Sequence, residues 1–295
     1  MRITLHQLAV FRTVAELGSV TQAAQKLHMT QPAVSNILKQ LEQYYDCQLT
    51  EVISRKIHLT DYGKVILDLS LAVNRELDHY QSQIQLLKGR VIGELKVAIA
   101  STAQYFMPHM LAEFKGENPN IHIKMKVFNR EMVLDRLHHN RDDFVILSQL
   151  PPALAVDSYP IYADQLVVVA SPKHRFANHP DTLPLQALET TPWIIREPGS
   201  GTRMAMLACF KQEKFSPSIE MELGNNEAIK QAIAANLGVS IVSKRSISLE
   251  LEQKQVVILP VQGFPLAHIW HLIKRRGKSL SPIAEICLQH LVLSE

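Results

Sequence analysis

Cysteine is scarce: the 295-residue chain has three, Cys47, Cys209 and Cys287. They lie far apart without paired spacing, which argues against a disulfide framework or a zinc site and fits a reducing cytosol. Long apolar runs are missing as well. No stretch approaches the roughly 18 uncharged apolar residues of a membrane span. The opening MRITLHQLAVFRTVAELG carries Arg12 and Glu16 inside its apolar pattern and lacks the unbroken core and small-residue cleavage site of a secretory signal. The cytoplasm is the expected compartment. An excess of one charge is also missing, since 31 basic against 28 acidic residues leave a formal +3, which by itself does not point to nucleic acid. Catalytic signatures are absent too: there is no Walker loop, no His-Glu-x-x-His, no Gly-x-Ser-x-Gly and no Cys-x-x-Cys. His138 and His139 are adjacent, so both cannot face one ion from a single helix side. No catalysis, resident cofactor or metal is expected.

What is there suggests two or three domains, because the chain is too long for one ordinary core. Leu5, Leu8, Phe11 and Val14 recur at helical spacing, so residues 4–16 read as an amphipathic helix that Gly18 ends. Ser19 or Thr21 can cap a second helix over Gln22–Leu27. After a short break at His28-Met29, Thr30 stands at an N-cap, with Pro32 in the first turn where its missing N–H is harmless. Ala33, Val34, Ile37, Leu38 and Leu41 then face inward, leaving Gln31, Ser35, Asn36 and Lys39 outward.

Two short helices joined by a tight turn, the second with a small-polar outer face, have the geometry that enters a major groove. Gln and Asn can read adenine there bidentately. The stretch EVISRKIHL (51–59) suits a two-stranded wing whose Arg55 and Lys56 meet phosphates or a minor groove. A three-helix bundle with a solvated polar face fits the same pattern. Next, Thr60 can cap a long helix bearing Ile66, Leu69, Val73, Leu77, Tyr80, Ile84 and Leu87 at steps of three or four, close to a heptad seam. The same stripe fits packing against the chain's own core. Lys88-Gly89-Arg90 and Gly93 break it and place a hinge there.

The run FRTVAELGSVTQAAQKLHMTQPAVSNILKQLEQ, followed by RKIHLTDYG, resembles the N-terminal signature of the LysR-type transcriptional regulators. The resemblance implies a winged helix-turn-helix in which Gln31, Pro32 and Ser35 meet promoter DNA and Arg55 points toward the minor groove. Thr30, Asn36, Lys39 and Lys56 complete the expected DNA-binding set. It also implies pairing through the long helix into dimers and tetramers, with RNA polymerase as a further partner. Two departures stand out: Asn36 where the family often has Arg, and Thr50 where it usually has a Phe packing the wing.

Beyond the hinge, strand patterns at 95–100, 121–127, 144–148, 165–170, 192–196, 219–223 and 238–243 alternate with helical ones such as Phe106–Lys115 and Glu131–His139. This rhythm predicts an α/β architecture with largely parallel sheets in two lobes, the chain crossing near Ala163 and returning near Leu266. Ligands then belong at the carboxyl ends of strands, between the lobes. Ser101-Thr102 follow the first strand, with Gln104 close behind. Asn129-Arg130 end the second, and the turn EPGSGTR carries Gly199, Ser200, Thr202 and Arg203. Free N–H groups, hydroxyls and guanidinium groups there suit an anion.

The segment resembles the LysR-type effector domain, itself similar to periplasmic binding proteins. STAQYFMPHMLAEF, NREMVLDRLHHNRDD and REPGSGTR most resemble the CbbR-like branch that regulates carbon-dioxide fixation. Those proteins respond to phosphorylated metabolites or a reduced nicotinamide cofactor, although that branch commonly has Lys where Gln104 stands. The expected organisation is an all-α winged helix-turn-helix at 1–59 and a linker or dimerisation helix at 60–90. A two-lobed periplasmic-binding-protein-like effector domain follows at 91–295, with lobe I at 91–162 and 267–295 and lobe II at 163–266. The alternatives are a regulator of another pathway with a non-phosphorylated effector and, from a different class, a solute-binding protein. The missing signal sequence and the N-terminal module argue against the second.

Overall fold

The computed structural model describes residues 3–54, 56–151 and 154–293, and the chain separates into two compact units, Met1–Ile84 and Gln85–Glu295. In the first, helix α1 (Leu5–Leu17) opens on a capping box in which Thr4 and Gln7 satisfy each other's terminal groups, and Gly18 closes it in the left-handed conformation at φ 61°. Helix α2 (Val20–Lys26) is capped by Ser19 and α3 (Gln31–Tyr45) by Thr30. Strands β1 (Thr50–Ile53) and β2 (Lys56–Leu59) pair antiparallel as the wing. The Glu42 carboxylate accepts from the backbone of Leu49 and Thr50, tying the wing to α3. Helix α4 (Asp61–Leu87) follows, its first turn capped by the Thr60 hydroxyl. Phe11, Val14, Ala23, Val34, Leu38, Leu41, Leu49 and Ile66 form the core.

The second unit contains β3 (Gly93–Ala100), α5 (Met107–Glu117), β4 (Ile121–Phe128), α6 (Arg130–His138), β5 (Phe144–Leu147) and β6 (Val156–Ala170). The chain continues through β7 (Pro192–Arg196), α7 (Gly201–Gln212), β8 (Ser218–Leu223), α8 (Asn226–Ala234), β9 (Ser240–Ser243) and α9 (Ser248–Glu252). It ends with β10 (Val257–Ile258), β11 (Leu266–Arg275) and α10 (Pro282–Leu293). One apolar cluster, centred on Leu95, Val97, Ile99, Phe114, Phe144 and Ile146, lies under α5 and α10. A second gathers Leu166, Val168, Trp193, Ile195, Phe210 and Ile241. We refer to the regions around these clusters as lobes I and II.

The expectation of largely parallel sheets needs correction. Strand β3 does pair parallel with β4 and β5, and β7 with β8, but β6 pairs antiparallel with β9, β10 and β11, and β11 with β5. The reason is geometric: β6 carries the chain from lobe I to lobe II and β11 brings it back, so the two must run in opposite directions. Their ladder extends from Val156↔Arg275 to Leu166↔Leu266. The sequence pattern marks only the last residues of β6 and none of β11, because Pro160, Asp164, His268 and His271 interrupt the apolar alternation.

Those polar residues have consequences for pH. Burial pushes the His268 imidazole below its ordinary value, opposed by Asp164 and reinforced by His271. Burial also lowers His271, against a hydrogen bond to the Ile269 backbone. A histidine depressed in the folded state is protonated more readily in the unfolded chain. Its stabilising share is therefore complete above the ordinary value of about 6.5 and is lost as pH falls below it. The melting temperature is expected to drop when pH is lowered from about 7.5 to about 5.5, and the His268→Gln/His271→Gln double variant should show a shallower drop in the same calorimetric series.

Candidate functional site

Two faces carry chemistry, one in each unit. In the first, Gln31, Pro32, Asn36 and Lys39 stand exposed on α3, with Ser35 half-buried beside them and Thr30 exposed at the cap. Gln31 Nε2 donates to Ser35 Oγ at 3.3 Å, so the two groups form one small polar platform one helical turn apart. Behind it, Val34, Leu38 and Leu41 are buried and fix the angle at which the platform is presented. Lys56 is exposed at the start of β2. Arg55 lies outside the described residues.

In the second unit a cavity opens between the lobes. Its walls carry five hydroxyls, from Ser101, Thr102, Ser148, Ser200 and Thr202, together with Arg130, and Ala100, Leu147, Gly201 and Trp270 complete the lining. Secondary structure explains the convergence. Ser101 and Thr102 begin a 3-10 turn at the end of β3, Ser148 follows β5, Arg130 opens α6, and Ser200 caps α7. These are strand ends and helix beginnings, where backbone N–H groups point outward. Arg130 Nε is buried without a hydrogen-bond partner among the described residues, and burial lowers its pKa. A desolvated cationic side chain among a set of hydroxyls is the polarity of an anion seat.

Five of the nine residues expected at the ligand site line this cavity: Ser101, Thr102, Arg130, Ser200 and Thr202. The others sit elsewhere. Gln104 is exposed on the 3-10 turn. Asn129 spends its side-chain oxygen on Met132 N as the cap of α6. Gly199, at φ +84°, lets its turn approach α6, since a Cβ there would stand 3.2 Å from a Glu131 carboxylate oxygen. Arg203 donates to Arg196 O at 2.7 Å and to the Glu222 carboxylate, bracing β7 and β8.

Sequence reasoning missed Ser148 and a network on lobe II that reaches across to lobe I. Arg196, only 4% exposed, is forked by Glu197 at 2.7 and 2.9 Å, donates to Ser101 Oγ at 3.2 Å and donates to Asn226 Oδ1. Asn226 Nδ2 in turn donates to Thr102 Oγ1 at 3.1 Å. Beside it, the Tyr105 hydroxyl donates to Glu227 at 2.6 Å. Burial and that carboxylate both push the phenol's pKa up. Lys230 bridges Glu227 and Glu250 at 2.8 Å each and lies 5.1 Å from the Tyr105 ring centre. Ser148, Arg196 and Asn226 all follow or end strands, so the strand-end rule applied to every strand would have found them.

Residues 5–64 match the model of the bacterial regulatory helix-turn-helix proteins of the lysR family, and residues 88–293 match the LysR substrate binding domain. The chain belongs to the LysR family. Its architecture is accordingly that of a LysR protein: an N-terminal winged helix-turn-helix with a long helix, then a two-lobed α/β effector-binding domain. Among its LysR relatives, the HTH-type transcriptional activator CmpR of Synechocystis is 40% identical over 98% of this chain and 94% of that protein. The RuBisCO operon transcriptional regulator of Allochromatium vinosum is 38% identical over 100% of this chain and 97% of its own. These relatives place the chain in the carbon-fixation branch of the family, and both are regulators rather than enzymes. The solved regulatory domain of Synechocystis CcmR, in complex with 2-PG, is 36% identical with a TM-score of 0.66 and covers 68% of this chain and 96% of that one.

Proposed function

We propose that this LysR protein is a transcriptional regulator that holds promoter DNA with the outer face of α3 and the wing, and adjusts its grip when a small anionic metabolite enters the cavity between the lobes. The observation that carries the effector half is Arg130, which lines the cavity beside five hydroxyl residues and whose buried Nε has no hydrogen-bond partner among the described residues. A buried donor left unmade costs free energy that an anion recovers on binding. A compact phosphorylated acid has the charge such a seat favours, and 2-PG in the Synechocystis domain is a precedent. Addition of 2-PG to the full chain should raise its melting temperature and alter its gel-shift pattern on its own promoter region. No thermal shift with 2-PG or a panel of short phosphorylated acids would sink this half of the proposal.

The outer face of α4 supports oligomerisation. Leu69, Leu77, Tyr80, Ile84 and Leu87 are 40% to 88% exposed in the single chain, an apolar stripe that a second copy of the same helix would cover. Dimers, paired into tetramers, would present recognition helices one DNA turn apart. Work on promoter DNA also implies RNA polymerase as a neighbour and the cytoplasm as the workplace.

For the reading face, Gln31→Ala and Ser35→Ala are expected to narrow the gap between operator and random duplex by about 1–3 kcal/mol for each lost base contact. Arg55→Ala and Lys56→Ala should weaken binding to every sequence and flatten the salt slope by about one. Gel shifts across a salt series separate the two behaviours, and an unchanged operator preference in both helix variants would refute the assignment.

A further inference from the structure

Lobe II decides where the hydroxyl protons of lobe I point. A guanidinium has only donors, so the Asn226 side chain must turn its oxygen to Arg196, which leaves its NH2 facing Thr102. The Thr102 hydroxyl is therefore an acceptor on its lobe II side. Ser101 is in the same position, because it accepts from Arg196 Nη2 at 3.2 Å. On the opposite wall, Ser200 Oγ accepts from Arg203 N at 3.4 Å. Each of these three hydroxyls has a single proton, and it is donated to no group among the described residues. No carboxylate is among the described residues that line the cavity. Arg196, Thr102 and Asn226 are 4%, 6% and 7% exposed, so water does not scramble this order of donors and acceptors.

We infer that Arg196 and Asn226 preset the Ser101 and Thr102 side of the cavity as donors, favouring a fully deprotonated anion, with Asn226 acting as the positioning residue that keeps the Thr102 proton for the ligand. The inference rests on the effector reading above and deepens it. A protonated ligand oxygen set against Ser101, Thr102 and Arg130 leaves a buried donor facing donors. Sulfate has no proton at neutral pH, whereas hydrogen phosphate has one. The cavity should therefore take sulfate at least as well as phosphate.

Asn226→Asp is the diagnostic substitution. Aspartate keeps the shape, the link to Arg196 and an acidic group at the start of α8, yet it can only accept, so it captures the Thr102 proton and turns it away from the cavity. A purely structural role for Asn226 predicts no loss of ligand. Calorimetric titration of the full chain with 2-PG should show affinity falling about tenfold or more in Asn226→Asp, with the melting temperature of the free protein held or raised. In a Thr102→Val background the same change should cost little further, because the proton it captures is already gone.

A loss that persists undiminished in the Thr102→Val background means charge repulsion and overturns the inference; so does unchanged affinity in Asn226→Asp. Competition on the wild-type protein supplies a readout that needs no variant. Sulfate displacing 2-PG as well as phosphate supports the donor seat, and phosphate binding more than about tenfold tighter reveals an acceptor and refutes it. Wild-type protein that binds none of the three anions overturns the effector reading as well, whereas binding that Asn226→Asp leaves intact overturns this inference alone.

Discussion

Gly63→Ala is expected to unfold the N-terminal unit while leaving the C-terminal one standing. Gly63 lies in the first turn of α4, where that helix crosses the start of the wing. A Cβ built there would sit 2.0 Å from the Leu49 carbonyl oxygen and 3.3 Å from Leu59 Cδ2. The carbonyl cannot retreat freely, because it also accepts from Thr60 N at 3.2 Å, and the Thr60 hydroxyl is tied to Gln48 O at 2.7 Å. Overpacking against backbone costs about 3 kcal/mol or more, a large share of the 5–15 kcal/mol that holds an ordinary domain together. In a melt followed by circular dichroism, an early transition should appear and operator binding should be lost, while the thermal response to 2-PG survives. Gly116→Ala is the control. It sits in α5 with nothing within 4 Å of an added Cβ, and should be neutral or stabilising by up to about 1 kcal/mol. A Gly63→Ala protein that melts and binds DNA as the wild type does would show that α4 and the wing are not packed as described.

Arg130→Leu is expected to abolish the effector response without harming the fold. The guanidinium is the charged group in a lining of hydroxyl and apolar residues. Hydrogen bonds to charged partners contribute about 1.5–3 kcal/mol, so 2-PG affinity should fall by roughly 10- to 150-fold. The free protein should move the other way. Removing a buried donor that lacks a partner among the described residues relieves its desolvation, and the melting temperature without ligand should stay level or rise. Retained 2-PG affinity in this variant would place the anion elsewhere, and a collapse of the free protein's stability would mean that Arg130 is structural.

The N-terminal unit was legible in the sequence because its signals are local. Thr30 before Pro32, Gly18 after Leu17 and the spacing of Val34, Leu38 and Leu41 each act within a turn or two of helix. The strands that join the lobes were not, since β6 and β11 are buried by each other across about a hundred residues of chain, and their polar residues break the alternation. The same division holds at the cavity. Ser101, Thr102, Arg130, Ser200 and Thr202 could be singled out as hydroxyls and a cation at strand ends. Arg196 and Asn226 could not be paired with Ser101 and Thr102, because nothing local says that the beginning of α8 will meet the turn after β3. Arg203 looked like a ligand donor until its guanidinium found Arg196 O and Glu222.

The double strand that joins the lobes also limits how they can move. Its ladder runs without a gap from Val156 to Leu166 on one side and from Arg275 to Leu266 on the other, with a single irregularity beside Trp270. Sliding one strand along the other would break several backbone hydrogen bonds at once, so translation of one lobe past its neighbour is barred. A ribbon of two strands twists far more readily than it shears. Occupancy of the cavity is therefore expected to register as a small rotation about the ribbon axis, pivoting where the irregularity sits next to a residue that lines the cavity.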